Sequence, residues 1–256
     1  MQPAISLLSV VPMRKEPSHR SEMVSQLLFG EYVSLGEEKD DFVWVQCLYD
    51  GYGGWVQATQ LTPVDQIAES SKYVGSTEDA VLIDGYTRMI SIGSPVYQPG
   101  EEIVFGKSLV QYLTGNKSLW DSSENKNTVS EKLETVCRLY LYTPYLWGGK
   151  SIYGIDCSGF AQQVFKLFGV RLLRDAYLQA EQGTDVESLE NARLGDLAFF
   201  QNEKGRVTHV GILLSSSQII HAAGQVRIDE MTKEGIYNRE RGVQTHHIHS
   251  IRRYFQ

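Results

Sequence analysis

YLWGGKSIYGIDCSGFAQQVFKLF, residues 145 to 168, is the stretch whose reading decides the fold. It passes from an aromatic, glycine-rich loop into Cys157, and from Cys157 directly into a helix. Gly148, Gly149 and Gly154 let the backbone turn tightly and approach a ligand closely. Phe160, Val164, Phe165 and Phe168 recur near the 3.6-residue period and predict one apolar helix face, which Gly169 is placed to end. Cys157 therefore falls at or just before the helix start, where unpaired N–H groups and the helix dipole favour an anion. A thiol so placed is expected to lose its proton more easily. Taken alone, Cys157 also reads as a small buried core residue. The chain on its C-terminal side favours chemistry.

On that side, Ala176, Leu178 and Ala180 suggest a short helix within a polar stretch. Leu194–Phe200 reads as a turn into a strand. Val207–Leu214 and Gln218–Ala222 read as two further strands around Ser215–Ser217, and Val226–Asp229 and His246–Tyr254 complete a sheet. A hairpin centred near Ser215 sets opposite each other residues whose numbers sum to about 430, which pairs His209 with His221. Direct cross-strand neighbours stand ~5 Å apart at Cβ and on one face. That suits a base and the group that orients it. Each histidine alone reads equally as a satisfied, partly buried ring. His246, His247 and His249 suggest a metal cluster at first sight. Strand alternation, however, puts His247 and His249 on one face and His246 on the other, so no metal site is expected. His19 lies in a loop.

On the N-terminal side of the organising stretch, Val129–Tyr140 carries a helical stripe, with Ser130 as expected N-cap and Glu131 and Glu134 in the first turns. Residues 115–127 are polar and read as a linker. Residues 64–127 hold short strand-like runs at Val74, Ala80–Ile83, Met89–Ile92 and Ser94–Tyr97, and suggest a second, degenerate barrel. Residues 1–63 read as strands at Ile5–Val11, Tyr32–Glu37, Phe42–Cys47 and Gly54–Val56, with turns at Pro12, Gly30, Asp40-Asp41 and Asp50-Gly51. The expected division is 1–63, 64–127 and 128–256, with an α+β fold in the last part, where a helix precedes the strands.

Composition bounds the function. The 256-residue chain is long enough for a real core and for two or three small domains. A formal charge of -7 and the lack of a basic run argue against nucleic acid and against a membrane surface. No apolar run is long enough to span a bilayer. MQPAISLLSVVPMRKEPS has no basic region ahead of its short apolar run, so a cytoplasmic location is expected, unless a leader has been removed. Cys47, Cys137 and Cys157 stand singly, without a C-x-x-C, which fits a reducing compartment with one reactive thiol.

Two sets of residues carry a resemblance. The first runs through Met13-Arg14, Pro17-Ser18, Gln26–Glu31, Trp44-Val45-Gln46 and Asp50–Val56, and resembles a bacterial SH3-like barrel. The second is Pro144–Gly149, Gly154–Phe160, Gly195-Asp196-Leu197, His209–Ile212 and His221-Ala222. It resembles the NlpC-type cysteine peptidases, papain-like enzymes that cut bacterial cell-wall peptides. With barrels in front, the arrangement is similar to the γ-D-glutamyl-L-diamino acid endopeptidases of the dipeptidyl-peptidase VI type. The resemblance implies recycling of murein peptides by hydrolysis of the bond after L-Ala-γ-D-Glu, on substrates with a free N-terminal alanine. It implies no metal and no cofactor, and a monomer is expected.

Residue by residue, the resemblance makes Cys157 the nucleophile, His209 its base and His221 the group that holds the His209 ring. The Cys157 N–H and the Tyr145 hydroxyl would hold the oxyanion. Asp156 and Ser158 match positions that receive the substrate's free amine, and Glu16 and Tyr52 match barrel residues that reach the substrate. Tyr52 also reads as packing beside Gly53-Gly54. Arg174–Tyr177 departs from the expected pattern, where a small polar residue is usual near Tyr177. Other readings are a wall-remodelling hydrolase acting on intact peptidoglycan, a non-catalytic wall-binding protein, and an acyltransferase on the same fold.

Overall fold

The computed structural model describes residues 2–113, 119–124 and 128–255. They form two compact units. One comprises Met1–Asn125 together with Trp147–Tyr153, and the other Lys126–Leu146 with Gly154–Gln256.

In the first unit, a seven-stranded sheet runs in the order Met23–Leu28, Val10–Arg14, Gly53–Gln57, Phe42–Cys47, Tyr32–Lys39, Pro3–Ile5 and Thr62–Pro63. The run expected at Ile5–Val11 is two strands broken by a bend, and Met23–Leu28 is a strand that sequence reasoning missed. Alternation along Phe42–Cys47 turns Val43, Val45 and Cys47 into a core with Val11, Met13, Leu27, Val33 and Val56. A four-stranded sheet follows, in the order Tyr86–Met89, Ala80–Ile83, Ser108–Tyr112 and Glu102–Phe105. Leu119–Asp121 is a strand paired with Lys72–Val74, which corrects the linker expectation there. The remaining linker positions, 115–118 and 125–127, lie outside the described residues. Strand pairing divides near residue 63, but the second core crosses that point. It joins Ile5, Phe29 and Tyr32 to Val74, Val81, Val96, Tyr97, Phe105 and Tyr112.

Trp147–Tyr153, from the organising stretch, belongs to this unit. Trp147 Nε1 donates to Glu22 at 2.8 Å, and the Lys150 N–H donates to Gln26 Oε1 at 2.8 Å. Lys150 Nζ and Glu31 form a buried ion pair at 3.2 Å. Gly148 has φ +76°, and a Cβ there would lie 2.6 Å from the Met23 carbonyl oxygen. Glycine is needed at that point for both conformation and space.

Among its described residues, the second unit contains three α-helices. Helix α1 (Val129–Arg138) buries Val129, Leu133, Val136 and Cys137. It begins one residue before the expected cap, with Thr128 at the N-cap position and no capping bond from its side chain. Helix α2 (Cys157–Leu167) is buried all round, which corrects the expected single apolar face. Gln162 can be accommodated because its Nε2 donates to the Leu172 carbonyl at 3.0 Å. Gly169, at φ +72°, follows the helix end. Helix α3 is short (Ala176–Gln179).

The sheet of this unit runs Thr184–Asp185, Val243–Arg253, Leu197–Gln201, Val207–Ser215, Gln218–Ala223, Gln225–Thr232 and Gly235–Asn238. Gly235–Asn238 also pairs back onto Val243–Arg253, so six strands close on themselves. Closure removes exposed edges and gives the strands an inner face. Ala198, Phe200, Leu213, Ile219, Met231, Ile236 and Ile251 fill one cluster on it. Helix α2 packs against Val207–Ser215 and Gln218–Ala223. No described helix is long and apolar enough to cross a membrane.

Candidate active site

Asp156 is the N-cap of α2. Its Oδ1 accepts from the Gly159 N–H at 2.7 Å, which fixes Cys157 as the first helical residue. Cys157 is 7 % exposed, and its sulfur sits against the backbone N–H groups of Ser158 and Val210. Val210 directly follows His209, so the ladder brings the nucleophile's helix beside the histidine strand. The expected easy ionisation is not found. Burial, aided by the Asp156 carboxylate, pushes the Cys157 thiol up to about 12, against the N–H groups and the Arg174 charge that favour the thiolate. The resting sulfur is a thiol, and removing its proton requires a base.

Cross-strand pairing sets Gly211, not His209, opposite His221. The predicted direct pairing is therefore off by two residues, because the turn lies at Ser216–Ser217 rather than at Ser215. Ser215 pairs with Gln218, and a one-residue register shift between Leu213 and Ser215 then sets Gly211 against His221. His209 and Gly211 share a face, so His209 reaches His221 diagonally, and Nε2 of His209 lies 2.8 Å from Nδ1 of His221. Glycine is what opens that diagonal. A Cβ at Gly211 would lie 2.9 Å from the His221 Cβ and 2.6 Å from Ile219 Cδ1. Burial first, then the neighbouring His221 and His246, hold the His209 pKa well below the usual imidazole value. At neutral pH its ring is a neutral base.

Tyr145 stands beside this pair of elements. Its N–H donates to the Gly224 carbonyl at 2.9 Å, and it bridges in parallel to Ile155, two residues before Cys157. Burial, with Cys157 and Asp156 nearby, raises the phenol pKa above its usual value, so the hydroxyl keeps its proton and remains a donor.

Three residues were missed by sequence reasoning. Arg174, 2 % exposed, forms an ion pair with Asp156 at 2.6 Å, and its Nη1 donates to Ser158 Oγ at 2.9 Å. A buried guanidinium therefore already offsets the Asp156 charge beside the nucleophile. Asp229 accepts from or ion-pairs with His221 at 3.0 Å and Arg227 at 2.8 Å. His246 stacks on His209. The tight turn at Gly224, φ +73°, pairs Ile219 with Asp229 and His221 with Arg227, so Asp229 was findable from the turn residue. Alternation does separate His246 from the exposed His247 and His249. No local signal showed where His246 would arrive.

Glu16 and Tyr52 lie in the first unit. Glu16 is exposed in the turn after Val10–Arg14, where its N–H donates to Ser21 Oγ at 2.9 Å. Tyr52 is half-buried against the first core, and its N–H donates to Asp50 Oδ1 at 3.0 Å.

Residues 142–245 match the NlpC/P60 family, and residues 13–61 match the bacterial dipeptidyl-peptidase Sh3 domain. A γ-D-glutamyl-L-lysine dipeptidyl-peptidase of Bacillus subtilis (strain 168) is 30% identical over 236 residues, covering 84% of this chain and 78% of that protein. A protein of the same name from Bacillus cereus (strain ATCC 10987) is 26% identical over 236 residues, 80% of this chain and 68% of its own length. The crystal structure of an NlpC/P60 family protein from Bacillus cereus ATCC 10987 superimposes with a TM-score of 0.80 at 20% identity, covering 99% of this chain and 100% of that one. A buried thiol at a helix start, a buried, hydrogen-bonded histidine pair on the adjoining strands and a likeness that runs through both units agree: this chain belongs to the NlpC/P60 family of cysteine peptidases.

Proposed function

We propose that this enzyme hydrolyses the amide between γ-D-glutamate and the following diamino acid in murein peptides with a free N-terminal L-alanine, releasing L-Ala-γ-D-Glu. The observation that carries this reading is the likeness to γ-D-glutamyl-L-lysine dipeptidyl-peptidases over most of both chains, barrel included. The site chemistry supports it. His209 takes the Cys157 proton, and the sulfur attacks the γ-carbonyl carbon. The Cys157 N–H and the Tyr145 hydroxyl hold the oxyanion. The imidazolium returns its proton to the leaving amine, which leaves a thioester. His209 then draws a proton from water, the hydroxide displaces sulfur, and the dipeptide departs as a carboxylic acid. Asp156 and Ser158, with Arg174 behind them, and Glu16 and Tyr52 of the barrel are the residues assigned to the alanine end of the substrate.

The test is incubation with L-Ala-γ-D-Glu-L-Lys and its diaminopimelate counterpart, with products read by mass. L-Ala-γ-D-Glu should accumulate, and Cys157→Ala should release none. N-acetylation of the alanine should lower kcat/KM about 30- to 100-fold, as when a charged partner is lost. Cleavage of the acetylated peptide, or of intact cross-linked wall, at the rate of the free tripeptide would make the enzyme a wall-remodelling hydrolase instead.

A further inference from the structure

The histidine pair does not end at His221. Its Nε2 lies 3.0 Å from Asp229 Oδ2, and Asp229 is held in turn by Arg227, through Nε at 2.8 Å and Nη2 at 3.0 Å. Arg227 Nη2 also donates to Glu240 at 3.0 Å. All four residues from His209 to Arg227 share the inner face by strand alternation.

We propose that Asp229 is a positioning residue of the peptidase reaction, fixing the tautomer of both histidines so that His209 presents a bare Nδ1 to the Cys157 proton. This rests on the reading of Cys157 and His209 as nucleophile and base.

Donor and acceptor capacity sets the direction of each hydrogen bond in the series. An ionised carboxylate only accepts, and a guanidinium only donates. Burial works to raise the Asp229 pKa, but the bonds from His221 and Arg227 outweigh it and keep the carboxyl below its usual range. With Arg227 Nη2 donating to Oδ1 and its Nε in ionic contact with Oδ2, the ionised Asp229 can only accept from His221, so a His221 proton sits on Nε2. With a single proton on that ring, Nδ1 of His221 carries a lone pair and must accept. Its partner, His209 Nε2, must therefore carry the proton, which leaves Nδ1 of His209 bare. Reversing the first link reverses every link after it. His246, stacked on His209, is a further titratable group packed on the pair, and its pKa, lowered by burial to about 4, keeps it uncharged at neutral pH.

Asp229→Asn probes the chain without a change of size. Arg227 would draw the amide oxygen, and the NH2 would face His221 Nε2, forcing the wrong tautomer. The expected loss in kcat is on the order of 10²–10⁴-fold, with KM within about threefold, because binding groups are untouched. Asp229→Glu should recover part of the loss. Alkylation of Cys157 by iodoacetamide should slow in Asp229→Asn as well. That readout needs no peptide, so it stays decisive if the proposed substrate is wrong. Long-range 1H–15N spectra of the whole wild-type chain at neutral pH should show His221 and His209 both protonated at Nε2. This measurement decides the matter if Asp229→Asn does not fold. A wild-type His221 protonated at Nδ1 overturns the proposal, as does an Asp229→Asn chain that alkylates and turns over at the wild-type rate.

Discussion

The His246 ring lies flat on the His209 ring, with centroids 4.2 Å apart and planes 26° from parallel, and its edge meets His221 at 5.6 Å. Phe200 closes the group at 5.8 Å from both His209 and His246. The base is thus clamped by a diagonal hydrogen bond on one side and an aromatic plate on the other. Such a plate is worth about 0.5–1.5 kcal/mol. His246→Ala should lower kcat roughly three- to tenfold by loosening the His209 rotamer. His246→Phe keeps the plate and should stay near wild type. Steady-state kinetics on the two variants separates packing from any need for the second imidazole.

Acid should destabilise the catalytic unit before its carboxylates titrate. An unfolded imidazole titrates near ~6.5, while folded His209 is held well below that value and His246 at about 4. Between these values the unfolded chain binds more protons than the folded one, so stability rises with pH. The contribution is fully present above the unfolded value and is lost as pH falls from there through the folded values. Urea midpoints measured between pH 8 and pH 4 should fall on acidification, and His246→Phe should flatten the slope. Midpoints that do not move over this range would contradict the burial of neutral rings.

Gly211 carries the diagonal between the histidines, so it tests the geometry directly. A methyl there would meet His221 and Ile219 well inside contact distance. Gly211→Ala should cost about 1–3 kcal/mol of stability through overpacking. It should also cost about 10- to 100-fold in kcat, because displacing His221 misaims His209. Thermal melts and kinetics on the purified variant give both numbers.

Arg174 and Asp156 form an ion pair in which both side chains are nearly inaccessible, 1% and 9% exposed. Removing one member leaves the other charge buried, which costs about 3–5 kcal/mol. Arg174→Met should therefore destabilise strongly, and adding Asp156→Asn should restore part of the loss. A double-mutant cycle read in urea checks the coupling. The same Arg174→Met change should push the Cys157 thiol further up, seen as slower alkylation at a fixed pH, since the Arg174 charge is among the influences that favour the thiolate.

Much of the fold and the centre of the site were legible locally. Cys157 at the start of α2 followed from the apolar period after it, and Gly169 marked the end. The strands Phe42–Cys47 and Ala80–Ile83 were read to the residue, because alternation and turn residues bound them on both sides. A common face for His209 and His221 followed from the even pairing sum of the expected register, which the observed register shares; a one-residue slip would have separated them. These are short-range consequences of side-chain period and backbone conformation. Tertiary structure alone decided the rest. The turn at Ser216–Ser217, with a one-residue register shift before Ser215, moved the pairing by two residues from the expected one and handed Gly211 the place opposite His221. Closure of the sheet carried His246 onto His209 from a strand more than thirty residues away. Folding of the chain after α2 brought Arg174 back onto Asp156. The thiol's protonation was a contest between a helix start, visible in the sequence, and burial beside a carboxylate, visible only once the unit is packed. Burial won, because taking a charge out of water outweighs the N–H groups and the guanidinium that favour the thiolate.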